Sequence, residues 1–144
     1  MFGIFLEKTP VSIENELVQP AKIIIDEFEE SLRLPLSYWS ANDYKNFWIK
    51  SLEEGISSKK HAALAVSMYE PEQSNFIFTW VIYFENDKIF LQNNILFLNE
   101  IQGFMPDRIN DFIDIRTTHN EDGRKISEWS TDFKSVIDFY NSLK

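Results

Sequence analysis

Two histidines are the residues of this sequence best suited to acid–base or metal chemistry. His61 begins an apolar stretch, and His119 lies in a polar one. Both kinds of chemistry need a partner group held at hydrogen-bonding distance from the imidazole. No nucleophile or ligand motif stands beside either residue, so we interpret both as ordinary solvated imidazoles and predict no catalytic triad.

Carboxylates form the second group of candidates. Asp107, Asp111 and Asp114 are spaced by four and three residues, which predicts three carboxylates along one side of a short helix. Such a row can bind a metal or act as an acid–base pair, but it is most often a solvated polar face or a partner-facing patch. We therefore predict no metal here.

The acidic loop at residues 120–123 resembles a calcium loop only superficially. With Gly123 at the sixth EF-hand position, Thr118 would be the first ligand and Trp129 the twelfth, where the motif requires Asp and Glu. We expect a tight turn instead, with Gly123 at a positive φ.

Composition excludes several other kinds of site. The chain has no cysteine and four glycines, and it contains no dinucleotide fingerprint, P-loop, zinc-protease motif or nucleophile elbow. A thiolate nucleophile, a cysteine zinc site and a disulfide framework are therefore absent. We predict a protein that is not an enzyme and needs no cofactor.

Net charge narrows the class of partner. The 14 Lys and Arg stand against 23 Asp and Glu, a net charge of −9, and such a field repels nucleic-acid phosphates and attracts a basic protein. The four tryptophans are accordingly expected in the core and not on a base-stacking platform. No run approaches the ~20 apolar residues of a membrane span, and no export signal is recognised, so we expect a soluble cytoplasmic protein without membrane or nucleic-acid partners.

Local patterns predict the elements that hold these side chains. Residues 22–28 suit a first strand because they are β-branched. Ser40 and Asp43 resemble a capping box before an apolar period of 3.6 residues, which predicts a helix over residues 41–54 closed by Gly55.

The middle of the chain predicts a three-strand meander. Residues 61–68 alternate between apolar and small or polar types, and residues 76–84 are apolar on both faces. A strand buried on both faces belongs in the middle of a sheet. Asn86 and Asp87 provide a hairpin turn into residues 88–98.

The last third predicts shorter elements. We expect an amphipathic helix at residues 105–113, an edge strand at residues 124–129 and a final helix capped by Ser130 or Thr131. The side chains expected on the buried side of that final helix are Phe133, Val136, Ile137 and Tyr140. These elements predict an α+β fold: an antiparallel sheet with a central meander and about three packed helices. No linker or repeat divides residues 1–144, which we expect to be one domain.

Several segments resemble the immunity proteins of bacterial contact-dependent growth inhibition (CDI) systems. They are LPLSYW at residues 34–39, the meander at residues 61–98, RTTH at residues 116–119, KISEW at residues 125–129, and the final helix at residues 132–143. The chain looks most like the subset paired with toxins that cut 16S ribosomal RNA. That resemblance implies a cytoplasmic protein that binds the C-terminal toxin domain of a CdiA protein and blocks access of RNA. It also implies a sheet similar to the Whirly type.

Toxin contacts vary within this family, so the candidate residues come from charge and expected exposure alone. The candidates for contact with a basic toxin nuclease domain are Glu70, Glu72, Glu85, Asp87, Asp107, Asp111, Asp114, Glu121 and Asp122. Only a subset of them can face one partner. Two alternatives remain: a small hydrolase or metal-dependent enzyme that uses His119 with nearby carboxylates, and a sheet that binds single-stranded nucleic acid.

Overall fold

The chain forms eight strands and two α-helices, joined by turns and three short 3₁₀ helices. The computed structural model describes residues 1–144. The main elements are β1 (Phe2–Leu6), β2 (Val11–Ile13), β3 (Glu16–Ile25), β4 (Phe28–Pro35), α1 (Ala41–Ser58), β5 (His61–Ser67), β6 (Phe76–Glu85), β7 (Lys88–Phe97), β8 (Trp129–Asp132) and α2 (Phe133–Ser142). The 3₁₀ helices are Pro71–Gln73, Leu98–Glu100 and Pro106–Phe112. The predicted α+β class with antiparallel sheets is confirmed.

The first sheet is built around β3. β4 pairs along one side of β3, while β1 and β2 pair with its two halves on the other side. The predicted single strand at residues 22–28 is wrong, because Asp26 takes a φ of 53° and turns the chain between β3 and β4. Most of this sheet was not predicted, because β1 and β2 have only five and three residues and because charged residues interrupt the apolar pattern of β4.

The second sheet contains the predicted meander and has the order β5-β6-β7-β8. β6 lies inside this sheet, as expected, and pairs with β7 over its full length. Asn86 takes a φ of 60° in the tight turn between them. The strand predicted at residues 124–129 is displaced, because only Trp129–Asp132 pairs with β7.

Helix α1 begins as predicted and ends later. Ser40 and Asp43 form the complete capping box, but the helix continues to Ser58 and ends at Lys59, which takes the left-handed conformation. Gly55 therefore lies inside the helix and does not close it. A Cβ at Gly55 would stand 2.7 Å from both the Ala62 Cβ and the His61 carbonyl oxygen, so the glycine permits close approach to β5.

Side chains of α1 cover the outer edge of β5. The Trp48 Nε1 donates to the Ala65 carbonyl at 2.9 Å, and the Ser51 hydroxyl donates to the Ala63 carbonyl at 2.6 Å. The Tyr44 hydroxyl accepts from the Met68 amide at 3.0 Å. Backbone groups that would otherwise be an open sheet edge are thus hydrogen-bonded.

The final helix differs from its prediction in cap and orientation. Asp132, and not Ser130 or Thr131, caps α2 by accepting from the Ser135 amide. Val136 and Phe139 are its buried residues, whereas Phe133 is 38% exposed. Ile137 and Tyr140 are half-buried. The helix packs on β1 through Phe139, whose ring lies 5.4 Å from that of Phe2.

The two sheets pack face to face around one cluster of 29 buried side chains. β4 crosses the inner face of the second sheet: the Phe28 ring lies 4.6 Å from Trp129 at one end. At the other end, the Pro35 carbonyl accepts from Tyr44, next to the end of β5. Neither α-helix has the length and hydropathy required to cross a membrane.

Candidate functional site

The structure divides the predicted acidic residues between distant places. Glu70 and Glu72 lie where the chain enters β6, whereas Glu85 and Asp87 lie at the hairpin where it leaves. A strand of this length separates its two ends by roughly 30 Å. We call the Phe76 end of β6 the open end and the hairpin end the closed end.

Acidic residues of the closed end have cations near them. Glu85 is directly opposite Lys88 in the β6–β7 register. Lys59 lines the same groove as Glu85 and Asp87. The local charge of this end is therefore close to balanced.

The three aspartates predicted on one helix face do not form a free row. Residues Pro106–Phe112 are a 3₁₀ helix with a kink at Arg108, and Asp114 lies beyond its end. The Arg108 guanidinium bonds both oxygens of Asp111, at 3.0 and 3.1 Å, and also contacts Glu54 at 3.2 Å. Asp107 lies 3.9 Å from the Lys50 ammonium. These acids are partly neutralised within the chain.

Glu121 and Asp122 occupy an exposed turn, in agreement with the predicted loop. Asn120 Oδ1 accepts from the Asp122 and Arg124 amides at 3.0 Å. Gly123 has a φ of 78°, as expected for a tight turn. Neither acid belongs to an ion pair, and both remain available to a partner.

Neither histidine is paired with a carboxylate. His61 Nε2 lies 2.8 Å from the Asn110 carbonyl oxygen, and His119 Nδ1 lies 3.0 Å from the Thr118 hydroxyl. No group of three or more His, Asp or Glu side chains is arranged to hold a metal ion. The geometry offers no general acid–base pair around His119.

The open end carries the most conspicuous surface of the molecule. Phe76 and Phe78 of β6 lie directly opposite Phe97 and Ile95 of β7, so all four side chains share one face. They are between 42% and 48% exposed, and the two β6 rings lie 5.2 Å apart. We call these four residues the aromatic patch. Contiguous exposed apolar surface is a common feature of interaction sites, so the aromatic patch is the candidate site of this molecule.

The aromatic patch is exposed because the first sheet stops short of it. Trp80, two residues after Phe78 on the same face, is 2% exposed and contacts Phe28 of β4. Phe76 and Phe78, which lie further from β4 on this face, are 42% and 43% exposed. The prediction that residues 76–84 are buried on both faces is therefore wrong for Phe76 and Phe78.

Acidic side chains border the aromatic patch. Glu70 and Glu72 precede it, and Glu100 follows β7 in the next 3₁₀ helix. None of the three forms an ion pair within the chain. Tyr38 and Tyr69 line a groove that also contains Phe76 and Glu70. The open end thus combines apolar anchors with unpaired negative charge.

The opposite face of the second sheet is covered by the chain after β7. Arg116 lies 3.8 Å over the Phe90 ring and bonds both oxygens of Glu128, at 2.8 and 2.6 Å. Gln92 also donates to Glu128 at 2.7 Å. Arg116 and the Gln92 amide hold the pKa of Glu128 below its usual range. The chain after β7, held in place by these contacts, therefore covers this face of the sheet.

Sequence reasoning missed the aromatic patch because it treated every residue of the apolar run as core. A signal was present, since Phe76 and Phe78 share one period-2 face with Ile95 and Phe97 across the predicted hairpin. That signal shows which side chains share a face. It does not show where the opposing sheet ends.

Comparisons with known proteins identify close relatives. A family model described as the CdiI N-terminal domain matches residues 34–139. An Enterobacter cloacae subsp. cloacae protein named Immunity protein CdiI is 64% identical over 143 residues, which cover 99% of this chain and 99% of that protein. A solved structure described as the CdiA-CT/CdiI toxin and immunity complex from Enterobacter cloacae matches with a TM-score of 0.95 and 64% identity, over 99% of this chain and 98% of that one.

Proposed function

Because this chain belongs to the CdiI family of immunity proteins, we propose that it neutralises a ribonuclease that cuts 16S ribosomal RNA, the C-terminal domain of its cognate CdiA. The protein acts in the cytoplasm as one domain, by noncovalent binding and without catalysis. The toxin surface that it covers is the basic one along which RNA phosphates would lie.

The observation that carries this proposal is the composition of the open end. An inhibitor of a nuclease needs negative charge for attraction to the RNA-binding surface and apolar anchors for affinity. Glu70, Glu72 and Glu100 supply unpaired charge beside the aromatic patch. The closed end has charge that is close to balanced and lacks a comparable apolar surface.

The other predicted acids have a weaker part in this proposal. Glu85, Asp87, Asp107 and Asp111 have cationic neighbours within the chain, which reduces the attraction they offer to a toxin. The unpaired carboxylates Asp114, Glu121 and Asp122 add to the net charge of −9. They steer the encounter without lying at the centre of the interface.

The test is a cleavage assay with purified ribosomes and the cognate toxin domain. We expect cleavage of 16S RNA to stop when this protein reaches one equivalent of toxin, and an excess of substrate RNA to slow formation of the complex. Cleavage that continues in a stable complex would show that the protein binds away from the active site. A toxin that leaves ribosomal RNA intact would contradict the proposed substrate.

His119→Ala tests whether the protein acts without catalysis. We expect this variant to neutralise the toxin at the same molar ratio as the wild type, because the His119 side chain lies within hydrogen-bonding distance of the Thr118 hydroxyl and is not paired with a carboxylate. If one molecule of the wild type inactivated several molecules of toxin and the variant lost this ability, the protein would instead be a hydrolase that turns over.

A further inference from the structure

A groove of about 640 Å³ separates strand β4 from the open end of the second sheet. Residues 30–33 of β4 form one wall, and Phe78, Trp80, Asn93 and Ile95 belong to the facing strands β6 and β7. The groove therefore begins where the first sheet stops, and it is continuous with the aromatic patch through Phe78 and Ile95.

Glu30 is the carboxylate of this groove. It pairs in register with Ile23, which is fully buried, so both belong to the inward face of the first sheet. Phe28 and Leu32 precede and follow it on that face and pack against the core. An acid between two inward apolar residues is unusual for a strand.

No cation of this chain pairs with Glu30. Lys22 bonds the neighbouring Glu29, at 3.5 Å, on the outward face of the same strand. Arg33 also lines the groove, but it is opposite Pro20 and belongs to the outward face by strand alternation. The inward carboxylate is left with solvent and the groove.

We propose that this groove receives a lysine or arginine side chain of the toxin domain, with Glu30 as its counter-charge; this inference rests on the proposed function. The apolar walls formed by Phe78, Leu32 and Ile95 match the aliphatic stem of such a side chain. The side-chain amide of Asn93 offers an oxygen for a further hydrogen bond. A carboxylate that closes around a cation in a partly desolvated site makes a strong, charge-assisted contact.

The chain provides a matched control for this inference. Glu29 and Glu30 are adjacent, are both exposed, and differ in the face of β4 to which they belong. We expect Glu30→Gln to weaken binding of the cognate toxin domain at least tenfold or so. Glu29→Gln should change the affinity by less than about twofold, because an exposed ion pair contributes little.

A second measurement follows burial of the groove directly. The chain has no cysteine, so Glu30→Cys and Glu29→Cys each introduce one thiol whose alkylation rate can be measured. With toxin at saturating concentration, we expect alkylation to slow at least tenfold or so for Glu30→Cys and less than about twofold for Glu29→Cys, because only the groove closes.

The inference requires both results. Equal effects of Glu30→Gln and Glu29→Gln on affinity, or an equal slowing of alkylation by toxin in Glu30→Cys and Glu29→Cys, would overturn it and leave the proposed function intact. Failure of the wild-type protein to bind the toxin domain at all would overturn the proposed function. Thermal unfolding of each variant serves as the folding control, and we expect no change because both side chains are exposed.

Discussion

Both ends of strand β6 carry acidic residues, but the two ends differ in what surrounds these residues. At the closed end, Glu85 faces Lys88, and the Phe84 ring lies 6.1 Å from that of Phe133 at the start of α2. At the open end, Glu70 and Glu72 belong to no ion pair within the chain, and the side chains of the aromatic patch are between 42% and 48% exposed. Negative charge alone does not distinguish the two ends, whereas uncovered apolar surface does.

Under the proposed function, one sheet serves two purposes. The closed end is held by α1, β8 and α2, so its residues contribute mainly to the stability of the fold. The aromatic patch at the open end lies beyond the part of the sheet that β4 covers, and under the proposed function its exposed side chains bind the toxin. Substitutions at the two ends should therefore change different measured quantities.

Removal of an anchor from the aromatic patch should have the largest effect. We expect Phe78→Ala to weaken toxin binding by about 2–4 kcal/mol, the range of interface hot spots, and to leave the free energy of unfolding nearly unchanged. Calorimetric titration measures the affinity. The control is Phe133→Ala at the closed end, whose side chain is 38% exposed. Equal losses of affinity in Phe78→Ala and Phe133→Ala would contradict the proposal that toxin binds at the open end.

A substitution that crowds the closed end should lower the stability of the protein and leave its affinity for toxin unchanged. Gly55→Ala places a methyl group against the Ala62 Cβ and the His61 carbonyl, and overpacking of this kind costs roughly 2–3 kcal/mol of the free energy of unfolding. Denaturant titration measures that cost. We expect the folded fraction to bind toxin with wild-type affinity. A stable variant with impaired binding would contradict the separation of the two ends.

The ion pair between Arg116 and Glu128 predicts that the stability of the protein depends on pH. Glu128→Gln should lower the free energy of unfolding by roughly 1–2 kcal/mol at pH 7, because it removes a partly buried charge-assisted pair with Arg116. The folded-state pKa of Glu128 is lowered, so its contribution is present above its unfolded pKa of about 4.3. It is lost as the pH falls through the folded value.

Measurement of the free energy of unfolding between pH 7 and pH 3 checks this prediction. The difference between the wild type and Glu128→Gln should shrink toward zero as the solution becomes acidic. A difference that stays constant with pH would mean that packing, and not the ionised carboxylate, accounts for the loss.

Reversal of surface charges should have the smallest effect on toxin binding. The change in association rate should be larger at the open end than at the closed end. Glu70→Lys with Glu72→Lys is expected to slow association with the toxin severalfold at low salt, because rim charges act mainly on encounter rates. Glu85→Lys with Asp87→Lys should have less effect, since Lys59 and Lys88 already lie nearby. Stopped-flow mixing at two salt concentrations measures both rates, and a larger effect at the closed end would contradict the assignment.

The same experiment applied to Glu121→Lys with Asp122→Lys tests the exposed turn. An unchanged affinity and an unchanged salt dependence would place that turn outside the interface.

Local sequence was sufficient for elements whose signals lie close together along the chain. The Ser40 capping box, the turn at Asn86 and the period-2 pattern of β5–β7 are short-range features, and they predicted α1 and the meander. The sequence also excluded cysteine chemistry and known nucleotide motifs, because these conclusions depend only on which residues are present. That the net charge of −9 favours a basic partner stays a prediction.

Tertiary structure decided everything that depends on which surfaces meet. From the sequence alone, Gly55 is interpreted as the end of a helix, because the close approach of β5 is not visible there. Phe76 and Phe78 are likewise interpreted as core residues, because the sequence does not show where β4 ends. Glu30 was not singled out as a candidate, because its inward position depends on the register of β4 against β3. Burial is set by neighbours distant in sequence, so residue types determined the local elements while the packing of the two sheets determined which side chains are free to bind.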